Sequence, residues 1–245
     1  MSGRVEGART PRASGDASSS RWLWVAAALS LAASLTPWGA LLLYPFKLFT
    51  SWVHECGHAA MTVMLGGSVQ SITIAPNTSG LTVSRVPDSR LVAGLVASAG
   101  YLGASVVGCV LLAATRVHRW AHRILYFIGV LMLLTVVAWM RSLFSFAVVL
   151  AWGAALIALA RRGNGAAAQF LLGFLAIQVA LNAVFDIRLL FLIPGAPSDA
   201  QSMADLFLVP AAAWASAWMI ISVAWLGLTL WLTRVRTPVR RGVNR

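Results

Sequence analysis

Charged residues are scarce in this sequence, and their scarcity sets its structural class. They make up 11% of the 245 residues, whereas 59% are hydrophobic and the mean hydropathy is +0.80. A soluble domain carries about 25% charged residues, so an ordinary soluble fold is excluded. Several apolar runs approach or exceed the roughly 18 to 20 residues that cross about 30 Å of hydrocarbon, where helices satisfy their own backbone. The sequence therefore predicts an all-α polytopic membrane protein, a bundle of about six or seven transmembrane helices.

Cysteines and acidic residues are also few. The two cysteines, Cys56 and Cys109, both lie in apolar segments and cannot form the disulfide framework of a small secreted domain. Seven acidic residues stand against 19 lysines and arginines, which gives a net charge of +12. The arginines lie in short loops and at both ends of the chain, as cytoplasmic flanks do. We therefore expect these basic residues to contact the anionic surface of the lipid bilayer. Nucleic acid is not expected as a partner. The end arginines are Arg4, Arg9, Arg12, Arg21, Arg234, Arg236, Arg240, Arg241 and Arg245.

One membrane domain is predicted between two polar tails. Residues 1–20 are rich in Gly, Ser, Ala and Arg without periodicity, which predicts a disordered cytoplasmic tail. The apolar run 22–44 exceeds the roughly 7 to 15 residues of a signal-peptide core, so we interpret it as a retained anchor. An integral membrane domain is predicted over 21–234 and a basic cytoplasmic tail over 235–245. We expect a multi-pass protein of a bacterial plasma membrane with both termini in the cytoplasm.

The chain contains seven apolar segments and one stretch typical of a hairpin. Residues 68–84 alternate β-branched side chains on either side of P-N-T-S-G, which predicts a short membrane-associated β-hairpin. No second half matches the first, which argues against a transporter built from inverted repeats. The apolar segments are 22–44, 46–65, 90–115, 124–140, 142–160, 168–193 and 207–233.

The positions of the arginines conflict with a simple count of crossings. Both termini, the loop 116–123 and the pair Arg161–Arg162 are basic, and all four favour the cytoplasmic side. Three segments precede residue 116, and three full crossings would put that loop on the wrong side. We therefore expect one of them not to cross fully, and segment 46–65 is the best candidate because it is the most polar. Non-helical backbone at membrane depth must line protein or water, so a hydrated pocket is predicted around residues 54–85.

Segment 46–65 contains the motif H-E-C-G-H, from His54 to His58. Side chains four residues apart share a helix face, so both imidazoles can hold one metal ion with Glu55 beside it. Two histidines, a third protein ligand and a water form a catalytic zinc site, in which Glu55 would activate the zinc-bound water as general base. The motif also arises by chance, as a polar patch or a hydrogen-bonded core histidine. Inside a bilayer, however, a central charge costs at least about 2.5 kcal/mol, and one Zn²⁺ per chain would compensate for it.

Two aspartates are candidates for the third zinc ligand. Asp186 lies deep in segment 168–193 with Asn182 four residues earlier on the same helix face, where Asn182 can orient the carboxylate or bind the substrate backbone. Asp199 lies at a membrane edge, where Ser198 or Asp199 can equally cap the last helix. Asp186 is the preferred ligand and Asp199 the alternative.

Several motifs, taken in order, resemble the site-2 protease superfamily of intramembrane zinc metalloproteases, and in particular its small "B"-type peptidase-like branch. They are H-E-C-G-H, S-I-T-I-A-P and S-A-G-Y-L-G-A-S-V-V-G, followed by F-D-I (185–187) and S-D-A (198–200). The resemblance covers roughly residues 46–205. It implies zinc bound by His54 and His58, Glu55 as general base, and an aspartate of a later helix, carried over onto Asp186, as third ligand.

These features together predict an intramembrane zinc metalloendopeptidase that hydrolyses peptide bonds of membrane-associated polypeptides, in the manner of regulated intramembrane proteolysis. The hairpin edge is expected to capture an extended substrate by strand addition, with Gly66, Gly67 and Gly80 giving that region flexibility. The alternative is a non-catalytic zinc-binding membrane scaffold that retains the fold. The alternative is favoured by F-D-I, which stands where better known members of the superfamily have an L-D-G context.

Overall fold

The computed structural model describes residues 25, 28–192 and 197–235, with the side chains of residues 118, 183–192 and 233–235 outside this description. The predicted tail 1–20 and residues 236–245 also lie outside it. The helices are α1 (Ala28–Ser34), α2 (Pro37–Met64), α3 (Arg90–Ala114), α4 (Ala121–Trp139), α5 (Leu143–Arg162), α6 (Gly165–Leu192), α7 (Asp199–Phe207) and α8 (Ala211–Val235), with a 3₁₀ turn at His118–Trp120. The strands are β1 (Ser68–Ile74) and β2 (Gly80–Arg85).

Most of the described helices are long enough and apolar enough to cross a membrane. By length and composition these are α3, α4, α5, α8 and the Gly165–Asn182 part of α6. Helices α1 and α2 meet the same test only as a pair, and the pair is bent by 113°. The prediction of an all-α polytopic fold with a hairpin after the histidine helix is confirmed. Within the described residues the number of candidate spans is five, or six with the bent pair, against about six or seven expected.

The lower number of spans comes from the start of the chain. The predicted boundary between segments 22–44 and 46–65, at Pro45, is wrong, because α2 runs through Pro45 without interruption. The indole N–H of Trp152 donates to the Pro45 carbonyl at 3.1 Å and ties this turn to α5. The chain breaks earlier, at Thr36, whose hydroxyl accepts the Gly39 N–H and caps α2.

Helices α2 and α3 approach each other closely because the contact is made by glycines. A methyl group at Gly57 would lie 2.4 Å from the backbone oxygen of Ala99, and one at Gly103 would lie 3.3 Å from the Cα of Gly57. Small residues allow this approach in apolar bundles, where packing rather than water drives helix association. The close contact brings the histidine face of α2 against the backbone of α3.

Two clusters of buried side chains hold the bundle together. The larger joins the hairpin to α2, α3, α4, α5 and α6, and includes Phe49, Trp52, Ile72 and Leu125. The smaller packs α7 and α8 against α3, and consists of Tyr101, Ala200, Met203, Ala215 and Trp218. The smaller cluster positions the first turn of α7 over the histidines of α2.

The hairpin lies alongside α2, and its two outer edges differ. Strands β1 and β2 pair antiparallel, with Ile72 opposite Thr82. The outer edge of β1 is covered, because Ile72 forms a bridge with Met140 and the backbone of Ile74 bonds to Ser145 at the start of α5. The outer edge of β2 pairs with no other strand in the described part of the chain. The hairpin therefore offers one open edge.

Replacing Ser145 by alanine should loosen the covered edge. The Ser145 hydroxyl accepts the Ile74 N–H at 2.7 Å and donates to the Ile74 carbonyl at 3.0 Å, and both residues are buried. Ser145→Ala leaves these groups unpaired and should lower the free energy of unfolding by about 1 to 3 kcal/mol. Ser216→Ala is the control, since the Ser216 hydroxyl bonds only within α8. Thermal unfolding in detergent and hydrogen exchange at Ile74 measure the effect, and equal exchange in both variants would contradict it.

Candidate metal centre

The H-E-C-G-H motif lies inside α2 and gathers three groups that can hold a metal ion. One donor atom from each of His54, Glu55 and His58 lies within 4.8 Å of the others. Glu55 and His58 are buried, with 4% and 7% of their surface exposed, and His54 is partly buried. The i, i+4 spacing places both imidazoles on one face, as the sequence predicts.

Asp199 meets these two histidines from across the bundle. Its Oδ2 lies 3.1 Å from Nε2 of His54 and 3.3 Å from Nε2 of His58. Ser198 caps the helix that carries it, but this is the short α7 and not the last helix, because Leu208 adopts a left-handed conformation and ends α7 before α8 begins. Ser198 is thus the helix cap, and the neighbouring Asp199 is the candidate metal ligand.

The three converging atoms fit a zinc ion. The Nε2 atoms of His54 and His58 lie 3.1 Å apart, so they form with Oδ2 of Asp199 a triangle with sides of 3.1 to 3.3 Å. Tetrahedral zinc bonds of about 2.0 to 2.1 Å place ligand atoms about 3.3 to 3.4 Å apart, close to these sides. Three atoms with lone pairs repel one another unless a cation or protons lie between them. The donor set therefore suits a divalent metal.

Neighbouring groups fix the orientation of both imidazoles. Nδ1 of His58 lies 2.7 Å from the Val96 carbonyl, and donation to that carbonyl leaves the lone pair on Nε2. The His54 ring packs edge-on against Tyr101, with 4.7 Å between ring centroids, and Tyr101 stacks on Trp218. The His58–Val96 contact is the one that metal-binding histidines commonly make through their second ring nitrogen.

The electrostatic surroundings keep Asp199 ionised. Burial raises the pKa of its carboxyl, but hydrogen bonds and charge from His54 and His58 in their protonated form lower it by more, so the pKa lies well below its ordinary value. A bound cation would take the place of those protons and act in the same direction. The ionised carboxylate is the form that binds a metal.

Glu55 faces the hairpin. The Thr82 hydroxyl donates to Oε2 of Glu55 at 2.7 Å and lies 3.1 Å from the Glu55 carbonyl oxygen. A methyl group at Gly80 would lie 2.2 Å from Oε1 of Glu55. Gly80, expected to supply flexibility, thus leaves room for the glutamate side chain.

The other residues singled out from the sequence have different surroundings. The Asn182 amide donates to the hydroxyl of Thr50, which lies one turn before His54 on α2. Asp186 lies in α6, but its side chain is outside the described residues. Sequence reasoning missed the role of Thr82, and only the alternation of inward and outward residues along β2 could have indicated it.

The sequence matches the family Peptidase M50B-like over residues 24–229. The chain belongs to this family. Peptidase M50B-like proteins fall within the site-2 protease group, so the resemblance seen in the motifs is confirmed. No curated protein and no solved structure matches the chain.

Membership in the Peptidase M50B-like family indicates an intramembrane metallopeptidase. Site-2 proteases depend on zinc, and the His54, Glu55 and His58 group of this member can bind a metal. The apolar helices make it an integral membrane protein.

Gly100 should be essential for metal binding. A methyl group there would lie 2.4 Å from the Nε2 atoms of both His54 and His58, in the space next to the donor atoms. We expect Gly100→Ala to lose stoichiometric zinc, measured by elemental analysis of purified protein. Gly227→Ala, where nothing lies within 4 Å of the added methyl, is the matched control and should retain zinc. Full zinc occupancy in Gly100→Ala would show that the metal does not lie between these nitrogens.

Proposed function

We propose that this protein is an intramembrane zinc metalloendopeptidase that hydrolyses peptide bonds of membrane-associated polypeptides. The observation that carries the proposal is the convergence of two imidazole nitrogens and one carboxylate oxygen beside a buried glutamate. That set of groups supports hydrolysis because it combines a tripod of ligands with a general base.

His54, His58 and Asp199 would hold the zinc ion. The distances from Asp199 to both imidazoles support it as the third ligand, whereas the side chain of Asp186, the residue preferred from the sequence, lies outside the described residues. When bound in such a site, zinc supplies Lewis acidity that makes a water molecule nucleophilic near neutral pH. With three protein ligands the ion would keep the capacity to bind a water molecule or a substrate carbonyl.

Glu55 would act as the general base that transfers a proton from water to the leaving group. As the neighbour of His54 in sequence, it presents its carboxylate to the same space, where it accepts a proton from the attacking water and returns it to the leaving amine. Its burial, with 4% of its surface exposed, strengthens these electrostatic interactions.

Strand β2 would hold the substrate. A peptide bond inside a helix is blocked by its own hydrogen bonds, so a membrane-spanning substrate must be extended before it is cut. The open edge of β2 can pair with such an extended segment by strand addition. Because Thr82 of β2 contacts Glu55, a segment paired there would pass beside the site.

We propose a bacterial plasma membrane with both termini cytoplasmic as the location. The basic loop after α3 and the basic end of α5 support this orientation, since they meet at one end of the bundle, where Nδ1 of His122 lies 2.9 Å from the Ala160 carbonyl and Arg161 lies over the Tyr126 ring. Basic ends of this kind favour the cytoplasmic side and its anionic lipid.

Removing the proposed general base should abolish peptide cleavage without affecting zinc binding. Glu55→Gln should keep one zinc per chain but lose cleavage by at least about 100-fold, because the amide cannot accept a proton. His54→Ala should lose both zinc and cleavage. Zinc analysis together with hydrolysis of fluorescently labelled casein, used as an unfolded polypeptide probe, measures both. Full proteolysis by Glu55→Gln would refute the mechanism, and a zinc-loaded wild type that cleaves no polypeptide would favour the non-catalytic scaffold.

The third ligand can be identified by a pair of substitutions. Asp199→Ala should lower zinc affinity by at least about 10-fold, whereas Asp186→Ala should leave it unchanged. Asp205→Ala is the control, because Asp205 lies on the same short helix as Asp199 but bonds to Gln201. Zinc titration of metal-free protein gives the affinities. Loss of zinc from Asp186→Ala with retention in Asp199→Ala would assign the ligand to α6 instead.

A further inference from the structure

We infer that Thr82 is a positioning residue for Glu55, so that the same strand which offers an open edge also sets the geometry of the general base. The inference rests on the proposed function, since it concerns how the base of that reaction is held. It gives the hairpin a role in the chemical step that is separate from substrate capture.

The first support is the hydrogen bond itself. A threonine hydroxyl has one proton, and its distance to Oε2 of Glu55 is 2.7 Å, shorter than the 3.1 Å to the Glu55 carbonyl oxygen. A carboxylate is also the stronger acceptor, so the proton is donated to Oε2. Because Glu55 is 4% exposed, bulk water is not in place to replace this bond.

The second support is the packing on the same face of β2. Side chains alternate along a strand, so positions 80 and 82 point to the same side. At position 80 a methyl group would meet Cγ and Cδ of Glu55 at 2.6 Å and Oε1 at 2.2 Å. Glu55 therefore lies flat against the backbone at Gly80 while its other oxygen is bonded by Thr82. These two contacts restrict the rotation of the glutamate side chain.

The outward face of β2 is apolar and exposed. Leu81 and Val83 are 60% and 39% exposed, and they lie on the side away from Glu55. Inward positions thus hold the base, and no other strand in the described part of the chain pairs with the outer edge of β2. A general base displaced by about 1 Å can lose about 100-fold in rate, so a strand that fixes its position affects turnover directly.

The test compares Thr82→Val, which removes the hydroxyl at nearly constant volume, with Thr82→Ser, which keeps it. With labelled casein and zinc-loaded protein, Thr82→Val should lower kcat about 10- to 100-fold, the rate equivalent of one hydrogen bond to a charged group, and leave KM and zinc affinity unchanged. Thr82→Ser should restore kcat to within about threefold of wild type. Thr73→Val is the matched control, since Thr73 pairs with Leu81 and lies on the opposite hairpin face.

Two further measurements test the position of Glu55 if Thr82→Val folds poorly. Gly80→Ala should also lower kcat with zinc retained, because its methyl group displaces the glutamate. The infrared carboxylate band of Glu55, isolated by subtracting the Glu55→Gln spectrum, should shift in Thr82→Val and return in Thr82→Ser.

The outcomes separate the inference from the proposed function. If Glu55→Gln is inactive while Thr82→Val or Gly80→Ala turns over at the wild-type rate, Thr82 is not a positioning residue and the function stands. If Glu55→Gln is fully active, the general-base role fails and the inference fails with it. If kcat falls equally in Thr82→Val and Thr82→Ser, the hydroxyl is not responsible and the inference is also overturned.

Discussion

The close approach of α2 and α3 is the constraint on which the rest of the site depends. Gly57 lets the two backbones meet, and Gly100 leaves space in front of the imidazole nitrogens. With His54 and His58 held there, Asp199 completes a set of three donors at 3.1 to 3.3 Å. Polar side chains inside a bilayer are costly without compensation, and a divalent cation held by these three donors would supply it. The packing of α2 against α3 therefore also sets the geometry of the candidate metal site.

The hairpin lies against that centre through its strand β2. One of its edges is covered by the α4–α5 junction through Met140 and Ser145, and the other is open. A strand edge that no other strand covers can pair with an extended chain. Thr82 and Gly80 of β2 both lie against Glu55, so the proposed substrate strand and the proposed general base are in direct contact.

The sequence predicted the parts of this arrangement that depend on local spacing. His54, Glu55 and His58 follow from one helical repeat, and the hairpin follows from alternation around P-N-T-S-G. The contact between His54 and Asp199 joins residues 145 positions apart and depends on how α7 packs on α3 and α8, which no local pattern specifies. Pro45 misled the prediction because its effect on a helix depends on neighbours such as Trp152.

X-ray absorption at the zinc edge of the purified wild-type protein tests the central claim most directly. The predicted spectrum shows one zinc per chain with only nitrogen and oxygen ligands at about 2.0 to 2.1 Å, including the multiple scattering of two imidazoles. A sulfur shell at about 2.3 Å, which would bring in Cys56, or a protein that binds no zinc would contradict it.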